Sequence, residues 1–181
     1  MSDYLYNKKN KEELIKDLQN EPFKRSTLSF YKYVKIENKE ELRDEIYRKL
    51  FDMKVLGRIY IADEGINAQI SVPNKKKSSF SKYIHSISFL SDVYIKEAIE
   101  EGNSFYKLKI KIKNEIVAYN IKNSEYDMNH VGNHLSSEQF NDAIKNGNCA
   151  IVDIRNYNES EVGHFKNAIK PNVDRSKDLL P

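Results

Sequence analysis

Two short runs, Leu56–Ala62 and Ile66–Val72, alternate apolar with polar residues and are separated only by Asp63-Glu64-Gly65. Side chains on a strand alternate between faces, so each run has one side that must be buried. Three residues leave no room for a crossover, so the runs pair as an antiparallel hairpin, with Gly65 free to take the positive φ of a tight turn. The chain therefore holds a sheet that is at least partly antiparallel, with one face needing a cover.

The cover comes from helical stripes on either side of the hairpin. Leu28–Ile36 alternates as a further strand and ends at Asn38, which can cap a helix with Glu41 reaching back from the N3 position. In that helix Leu42, Ile46, Leu50 and Met53 share a face. After the hairpin Phe80, Ile84 and Ile87 form a second stripe, and Tyr106–Lys113 sets Tyr, Leu, Ile and Ile against four lysines. The order βαββαβ predicts an α+β ferredoxin-like domain over residues 26–119, with its antiparallel sheet covered by helices on one face. Residues 1–25 precede it as a lead-in helix, with Leu14, Ile15 and Leu18 at helical spacing and Pro22 as its stop.

Residues 120–133 turn polar and aperiodic, a linker signature. In residues 134–181 the character changes to α/β. Ser136 and Gln139 make a capping box for a helix through Phe140, Ala143 and Ile144, and Gly147 closes it. Cys149–Ile154 is then a continuous apolar run of the kind buried in parallel sheets.

Composition narrows the function classes. No apolar run approaches the roughly 20 residues of a membrane helix, and Met1–Lys9 has no apolar core of a secretory signal, so a cytoplasmic protein is expected. The single cysteine, Cys149, cannot form an internal disulfide. Lys outnumbers Arg 24 to 6, with 19 Ile and 19 Asn, a bias that an A·T-rich genome produces, so abundant lysine alone says little about nucleic acid. Its placement says more: residues 1–125 carry 24 basic and 19 acidic groups, while residues 126–181 carry 6 and 8.

Projected with a period of two, the strands place Leu28, Phe30, Ile59, Ile61, Ile66, Ala68, Ile70, Leu108 and Ile110 on the core side. The other side takes Tyr31, Tyr33, Lys35, Arg58, Tyr60, Gln69, Ser71, Lys107, Lys109 and Lys111. Such a face suits a splayed RNA loop, with rings stacking on bases and cations on phosphates. The alternative is that the tyrosines pack against the second domain or a subunit while the lysines solvate the rim. His130 and His134 stand four apart, but Gly132 intervenes and no metalloprotease glutamate accompanies them, so no metal site is expected. His85 falls on the polar side of its helix. Asp63 and Glu64 read as turn formers rather than an acid and base pair. Cys149 reads as a buried core residue with a raised thiol pKa. Asp153 and Arg155, at the carboxyl end of the last apolar run, either organise a site or tie down a loop.

Several segments together resemble the rhodanese-domain-containing tRNA uridine hydroxylases. In the front domain they are Phe30-Tyr31-Lys32-Tyr33-Val34 and the eleven residues from Gly57 to Asn67, GRIYIADEGIN. Behind it, Leu135–Phe140, Val152-Asp153-Ile154-Arg155-Asn156 and Gly163-His164-Phe165-Lys166-Asn167-Ala168-Ile169 are similar to the opening of a rhodanese domain.

The resemblance implies oxygen-dependent hydroxylation of the wobble uridine at ring carbon five. Molecular oxygen would be the co-substrate, the anticodon region of tRNA the partner, and neither DNA nor a membrane is expected. Strand projection assigns the RNA contacts of the front domain to Tyr31, Tyr33, Arg58, Tyr60, Lys107 and Lys109, and position at the strand end makes Asp153 and Arg155 the residues expected to organise the site. The family's nucleophilic cysteine is expected C-terminal to Pro181, so the rhodanese-like part is incomplete here and no catalytic residue is assigned. Two alternatives stand beside this: a rhodanese-type sulfurtransferase, and a non-catalytic RNA-binding or protein-interaction module.

Overall fold

The computed structural model describes residues 9–101, 104–116, 127, 132–147, 149–175 and 178. The chain divides into two compact units, Met1–Ile116 and Val117–Pro181. Most of the linker expected at 120–133, including His130, lies outside the described residues.

The first unit begins with α1 (Lys11–Gln19), opened by a capping box in which Asn10 and Glu13 satisfy each other's backbone N–H. There follow β1 (Arg25–Tyr33), α2 (Lys39–Asp52), β2 (Leu56–Ala62), β3 (Gly65–Pro73), α3 (Lys77–Ser86), β4 (Lys96–Glu101) and β5 (Leu108–Ile112). The sheet order is β4-β1-β3-β2-β5. β1 runs antiparallel to β3 and β4, β2 antiparallel to β3, and β5 parallel to β2. Over β1 to β4 this is the split βαβ arrangement expected from the pattern, with β3 inserted between the parallel strands β1 and β2.

The core lies on the helix-covered side of the sheet. Ile46 and Leu50 of α2, Phe80 and Ile84 of α3, and Ile59, Ile61, Ile66 and Ile70 of the hairpin are fully buried. Each such side chain favours the fold by about 1.5–3 kcal/mol over its exposed state. Leu42 and Met53 pack at the edge of this cluster, as the α2 stripe predicts. The turn matches its sequence: Gly65 adopts φ +150°, and an added Cβ would lie 2.1 Å from the Lys32 carbonyl oxygen.

Several expectations are corrected. The first strand starts at Arg25 and ends at Tyr33 rather than spanning Leu28–Ile36; Val34 and Ile36 instead donate their N–H groups to the carbonyls of Glu64 and Asp63 along the hairpin turn. Asn38 precedes α2 without a side-chain cap bond. The fourth strand is the charged segment Lys96–Glu101, and the Leu/Lys alternation forms a fifth strand shortened to Leu108–Ile112. Backbone pairing to β1, not side-chain burial, defines β4: its Ile99 is fully exposed. Ser71 is on the predicted face yet buried, because Arg25 lies there and donates Nη1–H to the Ser71 carbonyl at 3.1 Å. Arg25 is itself clamped by both carboxylate oxygens of Glu21, at 2.6 and 2.7 Å.

The second unit contains α4 (Ser137–Lys145), with its predicted Ser136/Gln139 capping box, and α5 (Tyr157–Val162). The run Cys149–Ile154 does not form a buried strand. Its sheet pairing among the described residues is one parallel bridge, Val152 to Ile169, and Val152 and Ile154 are about half exposed. Apolar composition needs covering layers to become burial, and none packs on both sides of this run among the described residues. Cys149 is likewise exposed, not a core residue, with its thiol 3.4 Å from the Ala143 carbonyl.

Candidate nucleic-acid interface

The sheet face away from α2 and α3 is built by strand register. Tyr31 on β1 faces Asn67 on β3, which faces Tyr60 on β2, which faces Lys111 on β5. One step along, Ser29, Gln69, Arg58 and Lys109 form a second row. Alternation sends all of these to one side because their neighbours Phe30, Ala68, Ile59 and Ile110 belong to the core.

Aromatic rings and cations interleave on this face as projected. The Tyr31 and Tyr33 rings meet edge to face at 6.5 Å, and Tyr31 is 64% exposed. The Arg58 guanidinium lies 5.7 Å from the Phe105 ring centre, Lys113 Nζ lies 5.6 Å from Tyr60, and Lys107 Nζ lies 5.5 Å from Tyr106. Each contact holds a cation over a ring at about 0.5–1 kcal/mol, enough to orient a side chain without hiding it. Tyr60 is half-buried, whereas Arg58, Lys107, Lys109 and Lys111 are exposed.

The cations crowd one another. Lys111 beside it, then loss of water, then Lys107 hold the Lys109 ammonium below its ordinary pKa. Among the described residues no carboxylate pairs with Arg58, Lys107, Lys109, Lys111 or Lys113. Like charges left together without counter-ions favour an anionic partner.

The expectation from sequence did not include Phe105, Lys113 or Asn67, and it placed Tyr106 on the core side of a strand. Tyr106 instead precedes β5 and lies between Lys11 and Lys107, 6.0 Å from the former. The aromatic pair Phe105-Tyr106 before a Lys-alternating run was the available signal; an earlier strand start concealed it.

Asp63 and Glu64, beside the hairpin turn, each hold local structure. Asp63 pairs with Lys39 at 2.6 Å, while buried Glu64 accepts the Ile116 N–H at 2.8 Å and so secures the segment after β5. His85 Nε2 lies 3.1 Å from the Val93 carbonyl. Among the described residues no cluster of His, Cys, Asp and Glu could hold a metal ion.

In the second unit Asp153 and Arg155 form a bidentate pair, at 2.9 and 2.6 Å. Arg155 Nη2 also donates to the Gly163 carbonyl at 2.6 Å, closing the loop between the Val152 bridge and the end of α5. The Arg155 hydrogen bond is the main cause holding the Asp153 carboxyl at about 2. Both residues line an open cavity of about 730 Å³ with Cys149, Ile151, His164 and Phe165. The pair shapes the rim of this cavity, and Phe140 packs on Phe165 at 4.9 Å beside it.

Residues 25–116, the span from β1 to the Ile116 tether, match the model of the UPF0176 acylphosphatase-like domain. The chain belongs to the UPF0176 family. Proteins named tRNA uridine(34) hydroxylase resemble it along nearly all its length. That of Leptospira interrogans is 47% identical over 177 residues, covering 97% of this chain and 48% of the relative. Those of Buchnera aphidicola and Hamiltonella defensa are 41% and 40% identical, over 92% and 97% of this UPF0176 chain. The chain spans about half the length of these curated relatives.

Proposed function

We propose that this chain is the tRNA-binding front of a tRNA uridine hydroxylase, which uses molecular oxygen and an external two-electron donor to convert the C5–H of the wobble uridine to C5–OH, the second oxygen atom leaving as water. The observation that carries the reading is the open sheet face, where Tyr31, Tyr33 and Tyr60 stand among Arg58, Lys107 and Lys109. Stacking rings among cations that no carboxylate of the described residues pairs are the chemistry of an unpaired RNA loop, and the names of the relatives supply the class of RNA. In this reading the first unit is a ferredoxin-like domain. The second is the opening of a rhodanese-like domain whose Asp153–Arg155 pair organises the rim of the catalytic site, with the cysteine supplied C-terminal to Pro181. The anticodon region is the part of tRNA bound, and the cytoplasm is where it is met.

The test has two arms. The chain should bind an anticodon stem-loop with an affinity that falls steeply with salt. A version extended to the relatives' length should form 5-hydroxyuridine on undermodified tRNA in the presence of oxygen, read by nucleoside mass spectrometry. Thiocyanate release without RNA would favour the sulfurtransferase reading. Stem-loop binding with no product in the extended version would leave the non-catalytic module.

A further inference from the structure

Resting on the tRNA reading, we infer that the open face holds two or three consecutive unpaired nucleotides running across the strands, from β1 towards β5. Bases stack on Tyr31 and Tyr60, and phosphates lie on Lys109 and Lys111. The register supports this direction. Tyr31, Asn67, Tyr60 and Lys111 form one row across four strands, so strand spacing puts Tyr31 about 10 Å from Tyr60, and Lys111 about 5 Å beyond. Two rings that far apart cannot share one base; they suit successive splayed bases, each on its own tyrosine. On the four-stranded sheets of RNA-recognition motifs, aromatic side chains in such rows stack two or three bases.

Charge fixes the side on which the backbone lies. Arg58, Lys109 and Lys111 sit on β2 and β5, and Lys107 and Lys113 flank β5. On β1 the exposed groups of the same face are Tyr31 and Tyr33, with the single cation Lys96 beyond them on β4, opposite Ser29, against the larger cationic cluster on β2 and β5. A segment crossing the strands meets rings and then cations. One lying along β1 would meet only rings and one along β5 only cations, while β2 carries one of each, Tyr60 and Arg58. Between the tyrosines, the Asn67 amide offers a donor and an acceptor, which a rotation of the amide adapts to any base edge. The face is therefore tolerant of sequence and selective for unpaired RNA, because stacked duplex bases cannot reach the rings.

The experiment is fluorescence anisotropy with the 181-residue chain. The probes are labelled oligouridines of two to eight nucleotides, a blunt RNA duplex and an anticodon stem-loop. Affinity should rise steeply up to about three nucleotides and slowly beyond. Single strands should bind better than the duplex. Tyr31→Ala and Tyr60→Ala should each weaken single-strand binding on the order of 5- to 100-fold while leaving the weak duplex binding in place. Lys109→Ala and Lys111→Ala should each lower the slope of log affinity against log salt by about 0.7. Tyr31 is exposed, so its alanine variant keeps the fold, which circular dichroism checks. Stem-loop binding with no preference for unpaired RNA, or with no loss in the tyrosine variants, overturns this inference and leaves the tRNA reading standing. No binding to any of the probes at low salt overturns both.

Discussion

The close packing of β2 on β3 yields a sharp expectation for Gly57→Ala. Gly57 adopts φ +129°, and an added Cβ would lie 2.4 Å from the Gln69 carbonyl oxygen and 2.5 Å from the Ile70 Cα. Both are backbone atoms of the neighbouring strand, so no side chain can swing aside. Ordinary contact begins near 3.4 Å, so β2 must move away by about 1 Å. The backbone region itself costs an L-residue about 1–3 kcal/mol. Weakening two ladder hydrogen bonds adds about 1 kcal/mol each, for a total of about 3–5 kcal/mol. Gly147→Ala is the control: its φ is +69° but nothing lies within 4 Å, so only the left-handed penalty of about 1–2 kcal/mol remains. Native-state amide exchange at Ile59 and Ile61 measures the first unit directly, and exchange within α4 measures the second. Gly57→Ala should lower the opening free energy of the hairpin by clearly more than Gly147→Ala removes from α4, about 3–5 against about 1–2 kcal/mol. Equal losses would show that the close approach of β2 and β3 does not hold in solution, and the register of the open face would fall with it.

Three further outcomes follow from the same geometry. Lys109→Gln relieves the repulsion from Lys111, Lys107 and Arg58, so it should raise the melting temperature slightly while weakening RNA binding; a loss of both would contradict the crowded-cation account. Asp153, held at about 2 against an ordinary 3.8, has a depressed folded-state pKa, so its contribution to the second unit is present above pH 4 and is lost as pH falls through 2. Asp153→Asn should remove that part of the acid sensitivity of α5 amide exchange, and an unchanged acid profile would remove Arg155 as the cause. Amides of Ile151–Ile154 should exchange far faster than those of Ile59–Ile61, because one bridge holds the former and a paired, buried hairpin the latter; comparable protection would refute the half-covered reading of the second unit.

The hairpin, both core helices and the parity of the open face were legible because burial and alternation coincide there. Ile59, Ile61, Ile66 and Ile70 are apolar for the same reason that they are inside. β4 was illegible for the converse reason. Its sequence KEAIEE has no buried apolar face, and an edge strand can be defined by backbone bonds to β1 alone. Ser71 shows a second limit, since parity gave its direction but not the contact from Arg25 at the start of β1, held there by Glu21 from before the strand. Phe105 and Tyr106 were missed as site residues because alternation extends two residues beyond the strand it marks. Cys149–Ile154 failed differently: its composition is that of a buried strand, but burial depends on what lies against it, which the run itself does not encode.

These contrasts distinguish the open surfaces of the two units. In the first unit the apolar surface of the hairpin is covered by α2 and α3, and the surface left open is cationic and aromatic rather than aliphatic. Such a face costs little when empty, because ammonium groups and a tyrosine hydroxyl are solvated. In the second unit the open surface is Leu135, Val152, Ile154, Phe165 and Ile169, which water disfavours and which polypeptide covers best. The open surface of the first unit is thus cationic and aromatic, and that of the second is apolar. RNA binding measured on this chain would therefore test the sheet face of the first unit, and leaves the apolar surface of the second to a separate experiment.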